Sequence, residues 1–181
     1  MRKLIASTYV TLDGKMDGLQ EWSAPHDSDA VAEYHSDLLA NSDGLLLGRK
    51  TYEIFAAIWP PRSGKLAYGD KINSMAKYVA STTLGDLEWE NSYLIEGDVA
   101  EGVAKLKEQP GQDLVVYGGR ALTQSLQDHD LIDEYRFLLH PVLLGRGMSF
   151  FEDGARRVNL DLVDTTVIPP GVAVLTYQPV R

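Results

Sequence analysis

The stretch GLLLGRKTYE, Gly44 to Glu53, decides the fold. Three leucines bounded by glycines read as a short strand buried on both faces, the pattern of a central strand in a parallel sheet. Arg49, Lys50 and Thr51 follow at once, and a helix is predicted near Thr51 to Ile58. A strand, a glycine and a helix opening beside positive charge form a place where a phosphate can reach unpaired backbone N–H groups. Taken alone, the same junction is more often a plain turn.

Working outward, the chain alternates strand and helix. KLIASTYV is rich in β-branched and aromatic residues and reads as the first strand, and LDGKMDG supplies turn chemistry after it. LQEWSAPHDS reads as a loop. From Asp29 to about Asn41, Val31, Tyr34, Leu38 and Leu39 recur at helical spacing, with Asp27 and Ser28 available as N-caps. After the opening stretch come a loop WPPRSGKLAYG, a short helix, and the strands KYVAST and NSYLIEG. DVAEGVAKLKEQ reads as a helix, DLVVYGG as a strand and RALTQSLQDHD as a helix. The last fifty or so residues carry strand patterns without intervening helices, and PPG at 169–171 marks a hairpin turn. About eight strands result, in one α/β domain over residues 1–181: a mostly parallel sheet with an antiparallel C-terminal hairpin edge.

Composition narrows the function. The formal charge of −9 repels phosphate at long range, so nucleic acid and anionic membrane are disfavoured partners and any phosphate must be captured locally. The chain contains no cysteine, which removes disulfides, thiolate metal sites and a cysteine nucleophile. The basic N-terminus lacks the long apolar core of a signal peptide, and a soluble, cytoplasmic protein is expected. His26, His35, His129 and His140 show no metal-binding spacing, and no metal is expected.

A second strand–glycine–helix junction, LVVYGGRALTQSL, repeats the design of the first. Neither matches G-x-G-x-x-G or G-x-x-x-x-G-K-[ST]. Two cradles in one α/β sheet suit a dinucleotide, whose pyrophosphate and further phosphate need separate holders at the carboxyl ends of strands. Ser81 and Thr82, just past KYVA, offer hydroxyls for an adenosine ribose. Trp22 and Trp59 suit either a wall for a flat substrate or ordinary packing. Arg146, flanked by glycines in LLGRGMSFF, is read as a loop residue near the substrate, the alternative being a plain turn before Phe150 and Phe151 pack. Asp133 and Glu134 open a strand, facing solvent or an arginine. The exposed edges of the antiparallel end lead us to expect a homodimer.

GRKTYE, YVAST and VVYGGRAL resemble, in order and spacing, the cofactor segments of dihydrofolate reductase. TLDGKMDG, LLLGRKTYEIFAAIWP, YGGRALTQSL, LIDEYRF, HPVLLGRGMSFFE and GVAVLTYQPV together are similar to the RibD C-terminal domain family, from about Lys3 to Tyr177. The resemblance implies a three-layer α/β/α, dihydrofolate-reductase-like fold and an NADPH-dependent reductase. It implies that Gly48, Arg49 and Thr51, with added charge from Lys50, hold phosphate of the adenosine half. Ser81 and Thr82 then meet the 2′-phosphate region, while Gly118, Gly119, Arg120, Ala121 and Leu122 hold the pyrophosphate. In dihydrofolate reductase the glycine pair carries a cis peptide, which would be an informative strain feature at Gly118–Gly119. The loop Leu12–Lys15, with Asp13 as a catalytic candidate and Gly14 against the substrate, covers the nicotinamide.

One departure stands out. Sixteen residues before Gly48, where dihydrofolate reductase has its first-helix carboxylate, this chain has Ala32. Asp29 and Glu33 lie nearby and are the remaining acidic candidates on that helix. The family's substrate, a phosphoribosylamino-pyrimidinone of riboflavin synthesis, is the leading expectation. A pterin-type reductase, an NADPH-binding module without turnover, and a phosphate-ester binder unrelated to NADPH stay as alternatives. The H-x-E and P-C-x-x-C signature of zinc deaminases is absent.

Overall fold

A computed structural model describes residues 1–151 and 153–180. Its strands are β1 (Leu4–Thr11), β2 (Ser42–Gly48), β3 (Ala76–Ala80), β4 (Ser92–Leu94), β5 (Asp113–Tyr117), β6 (Glu134–His140), β7 (Leu160–Ile168) and β8 (Val172–Pro179). All eight form one sheet in the order β4-β3-β2-β5-β1-β6-β8-β7. Pairing is parallel from β4 to β6 and antiparallel at β6–β8 and β8–β7. The helices are α1 (Leu19–Ser23), α2 (Asp29–Ala40), α3 (Arg49–Ile58), α4 (Ala67–Ser74), α5 (Val99–Glu108) and α6 (Arg120–Asp128).

GLLLG behaves as expected of a central strand. Leu45, Leu46 and Leu47 are fully buried. Leu46 packs with Val116, Val103, Leu122 and Leu126 on the face covered by α5 and α6. Leu45 and Leu47 pack with Leu38, Leu39, Tyr52 and Ile72 on the face covered by α2, α3 and α4. Burying each such side chain stabilises the fold by roughly 1.5–3 kcal/mol. The two layers of helices make three layers in all. Gly44 is there for space: a Cβ would stand 2.7 Å from Leu114 Cδ2.

Several boundaries differ from the expectations. α3 begins at Arg49, two residues early, because Gly48 in extended conformation serves as its N-cap. The segment read as a loop after LDGKMDG contains α1 and a 3-10 turn at Ala24–His26, and α4 already starts inside the loop read as WPPRSGKLAYG. β4 is only three residues long. Ser28 rather than Asp27 caps α2, its Oγ accepting from Val31 N at 3.3 Å. The PPG turn closes the β7–β8 hairpin through Gly171 N–H to Ile168 O, with a cis Pro169–Pro170 bond. Asp133 accepts from Leu4 N at 2.9 Å and pairs with Lys107, while buried Glu134 accepts from Arg136 Nε at 2.7 Å. The acidic pair is structural.

Candidate functional site

The two glycine junctions meet. β2 and β5 are adjacent and parallel, with Leu46 opposite Val116, so the register carried two residues further sets Gly48 abreast of Gly118. A Cβ on Gly119 would lie 3.7 Å from Thr51 Oγ1 and 3.9 Å from Leu122 Cβ, and one on Gly48 would lie 3.9 Å from the same Leu122 Cβ. Gly118 has nothing within 4 Å of that position. Both glycines of the pair have positive φ, 54° and 68°, which L side chains adopt at a cost. Among the described residues the cis peptide bond is at Pro169–Pro170, and Gly118–Gly119 is trans, unlike the glycine pair of dihydrofolate reductase. α2 and α5 start with side-chain caps, Ser28 and Asp98, whereas α3 and α6 start at glycines with none. Their first-turn N–H groups therefore need an outside acceptor, water or phosphate. Open space, glycine backbone and uncapped donors fit a dinucleotide's phosphates.

Arg49 stands over this junction, half exposed. Its Nε donates to Glu53 Oε1 at 2.8 Å and its Nη1 to Thr83 Oγ1 at 2.6 Å. The second contact ties α3 to the loop after β3, so the third holder joins the other two. Within that loop Ser81 Oγ accepts from Thr83 N and Leu84 N, at 3.2 and 3.0 Å, and Thr82 is exposed. Thr83 was not anticipated; hydroxyls at three successive positions, SerThrThr, were the available signal. Lys50 and Ala121 are exposed at their helix starts. Arg120 leans to the loop at 141–151, its Nη1 donating to Ser149 O at 3.3 Å.

Asp13 has a different task from the catalytic one expected of it. Its carboxylate accepts from Thr11 Oγ1 at 2.6 Å, Leu144 N at 3.2 Å and Gly145 N at 2.8 Å. The Thr11 hydroxyl foremost, then the Gly145 amide, hold its pKa down to about 2. Asp13 is thus the anchor for the loop that carries Arg146, which is itself exposed at the tip. Lys15 Nζ to Ser149 Oγ and Phe150 N to Gly14 O extend the same zipper. Gly14 lines a groove of about 830 Å³ with Phe137, Phe151 and Tyr177, on the α5–α6 face of the sheet.

Asp29 and Glu33 are exposed on the outer side of α2, while Val31, His35, Leu38 and Leu39 turn inward. Helical geometry separates the two sets, so neither acid reaches the sheet. The inward polar group is His35. Its Nε2 lies 2.7 Å from Tyr9 Oη and its Nδ1 3.2 Å from Tyr117 Oη. Burial alone lowers its pKa to about 4, so the ring is neutral at physiological pH. Burial likewise raises the Tyr117 phenol well above its usual value, and raises Tyr9, helped by Asp27.

This histidine sits in a run of rings. Trp59 contacts Tyr68, Tyr68 stacks on His35, His35 on Tyr9, Tyr9 lies 4.9 Å from His140, and His140 meets Trp22 edge-on at 5.0 Å. Both tryptophans, read as either cleft walls or ordinary packing, are buried, at opposite ends of the run. Trp22 Nε1 donates to Asp17 O at 2.7 Å. His140 ends β6.

The model of the RibD C-terminal domain matches residues 2–174. The chain belongs to the RibD C-terminal domain family. Within reach of that family, YyaP of Bacillus subtilis (strain 168) is 33% identical over 184 residues, covering 98% of this chain and 95% of its own. A protein of Shewanella sp. PV-4 with a provisional riboflavin-biosynthesis name superposes with a TM-score of 0.76 at 22% identity, covering 99% of both chains. A diaminohydroxyphosphoribosylaminopyrimidine deaminase/5-amino-6-(5-phosphoribosylamino)uracil reductase of Thermotoga maritima superposes with a TM-score of 0.70 at 13% identity, over 99% of this chain and 57% of the other. The fold is dihydrofolate-reductase-like.

Proposed function

We propose that the protein is an NADPH-dependent reductase of a small heterocyclic or sugar-derived substrate, of the 5-amino-6-(5-phosphoribosylamino)uracil reductase type. One observation carries the reading: Gly48, Thr51, Gly119 and Leu122 gather at the adjoining carboxyl ends of β2 and β5, with Arg49 and Thr83 beside them. In such a site Gly118, Gly119 and the start of α6 hold the pyrophosphate, and Gly48, Arg49, Thr51, Ser81 and Thr82 hold the adenosine half with its 2′-phosphate. Bound there, the cofactor supplies hydride. Asp13 keeps the covering loop in place, and Trp22, Trp59, Gly14 and Arg146 remain the substrate-side residues.

The outward position of Asp29 and Glu33, with Ala32 between them, favours a non-folate substrate, and it keeps a binding module without turnover as the second reading. The outermost strand β7 exposes Leu162, Val163 and Val167, which supports a homodimer through this edge, to be checked by light scattering. Among the described residues no helix is long and apolar enough to cross a membrane, and a cytoplasmic location is proposed. Fluorescence titration is expected to show NADPH binding at least about tenfold tighter than NADH, the signature of a charge-assisted 2′-phosphate contact. Equal affinity would reject the cofactor assignment. NADPH oxidation with aminopyrimidinone, pterin, flavin and quinone acceptors separates the enzyme from the binding module.

A further inference from the structure

We infer that Tyr9 is the proton donor of this reduction, with its hydroxyl hydrogen freed by a chain that runs from Tyr117 through His35. The inference rests on the reductase reading above.

The chain is placed beside the cradle by sequence and by hydrogen bonding. Tyr117 is the residue before Gly118, and Gly118 N–H donates to Ser7 O at 3.3 Å. Tyr9 follows Ser7 by two residues on β1 and so shares its face of the sheet. His35 lies on α2 three residues beyond Ala32, the place without the expected carboxylate, and its ring turns toward the sheet.

Its neutral imidazole has one donor nitrogen and one acceptor. The Tyr117 hydroxyl is buried, and among the described residues its hydrogen-bond partner is His35 Nδ1. A buried O–H left without an acceptor costs roughly 1–3 kcal/mol. Tyr117 therefore donates to Nδ1, which puts the ring proton on Nε2. That proton is donated to Tyr9 Oη at 2.7 Å. Tyr9 Oη thus accepts from the ring, and its own hydrogen is left for another partner. Tyr9 is also the more exposed end of the chain.

The arrangement suits a carbonyl or imine. As hydride adds to the carbon of a C=O or C=N bond, the π pair moves to the heteroatom, which takes the Tyr9 proton. The phenolate left behind keeps the Nε2–H hydrogen bond until solvent returns a proton. A phenol with a pKa raised by burial holds its proton against water and releases it to the stronger base formed by hydride addition. His35 and Tyr117 are positioning residues.

Two measurements test this on the full chain. Nitrogen-15 NMR of the imidazole is expected to find His35 as the Nε2–H tautomer in the wild type and in Tyr9→Phe, and mixed in Tyr117→Phe. Steady-state NADPH oxidation with the four acceptor classes is expected to fall about 10²–10⁴-fold in kcat in Tyr9→Phe, with the NADPH Kd within twofold of wild type. A predominantly Nδ1–H ring, or a Tyr9→Phe variant within threefold of wild-type kcat, overturns the assignment while leaving the reductase reading intact. A wild type that oxidises NADPH with none of the acceptors removes both.

Discussion

The cradle and the ring chain adjoin at Tyr117–Gly118 but are built in opposite ways. The cradle is backbone: two glycine junctions, uncapped helix starts and an exposed arginine, each legible within ten residues of sequence. The ring chain is side chains, from β1, α2 and β5, buried and joined across intervals of 26 and 82 residues. A phosphate site needs N–H groups and room, which local geometry supplies. A proton donor needs an environment that fixes one tautomer, and that takes long-range packing.

The largest expected effect breaks the buried side. His35 has a folded pKa of about 4 against an ordinary value of 6.5, so between those pH values the unfolded chain binds the extra proton and the folded one does not. Its contribution is therefore complete above pH 6.5 and is lost as pH falls to 4, by up to about 3 kcal/mol. Urea unfolding of the wild type is expected to show that acid slope, and His35→Gln to reduce it, leaving the part due to His140, whose pKa burial also lowers. Asp13 titrates lower, its pKa of about 2 lying under the usual carboxylate range, and so does not account for a slope above pH 4. Equal slopes in wild type and variant would mean that burial does not lower the pKa of this ring.

The next test breaks the cradle. Gly119→Val places a branched side chain at a φ of 68° and points it at Thr51 and Leu122. Non-glycine residues held in that region cost about 1–3 kcal/mol, and the new methyl groups fill the phosphate space. NADPH affinity is expected to fall about 100-fold, roughly 2.7 kcal/mol. The His35 tautomer, read by NMR, should not change, because the contacts that set it, the Tyr117 hydroxyl on Nδ1 and the ring contact at 5.8 Å, come from side chains the substitution does not alter. If affinity survives, the pyrophosphate lies elsewhere.

These two regions also mark what the sequence could disclose. GLLLG and LVVYGG read as buried strands ending at glycines, and both are; that β2 and β5 lie side by side comes from the sheet pairing. His35 was passed over as a mere non-metal histidine, although it sits four residues after Val31 and three before Leu38, on the apolar stripe of α2. A polar residue on that stripe must find buried partners, and that was the available signal. What no local pattern could show is Asp13 holding Leu144 and Gly145 across 131 and 132 residues. Short-range turn chemistry fixed the Asp13 loop; its partner came from the other end of the chain.

A smaller effect sharpens the cradle itself. Arg49→Ala removes a half-exposed guanidinium and is expected to weaken NADPH about tenfold, with NADH within twofold. Exposure keeps the loss well under that of a buried ion pair.

Smallest is Thr83→Val, which keeps shape and deletes the oxygen that accepts from Arg49 Nη1 at 2.6 Å. The guanidinium then loses one of its two ties and keeps Glu53, so it is less fixed over the junction but still present. NADPH affinity is expected to drop about threefold, roughly 0.7 kcal/mol, by fluorescence titration. The double variant Arg49→Ala/Thr83→Val decides what Thr83 does. If it only orients Arg49, the double variant is no weaker than Arg49→Ala, because there is no side chain left to orient. If the losses add, Thr83 touches the nucleotide directly, and the hydroxyl holder of the adenosine half is a three-residue loop, Ser81 to Thr83, in place of the pair read from sequence.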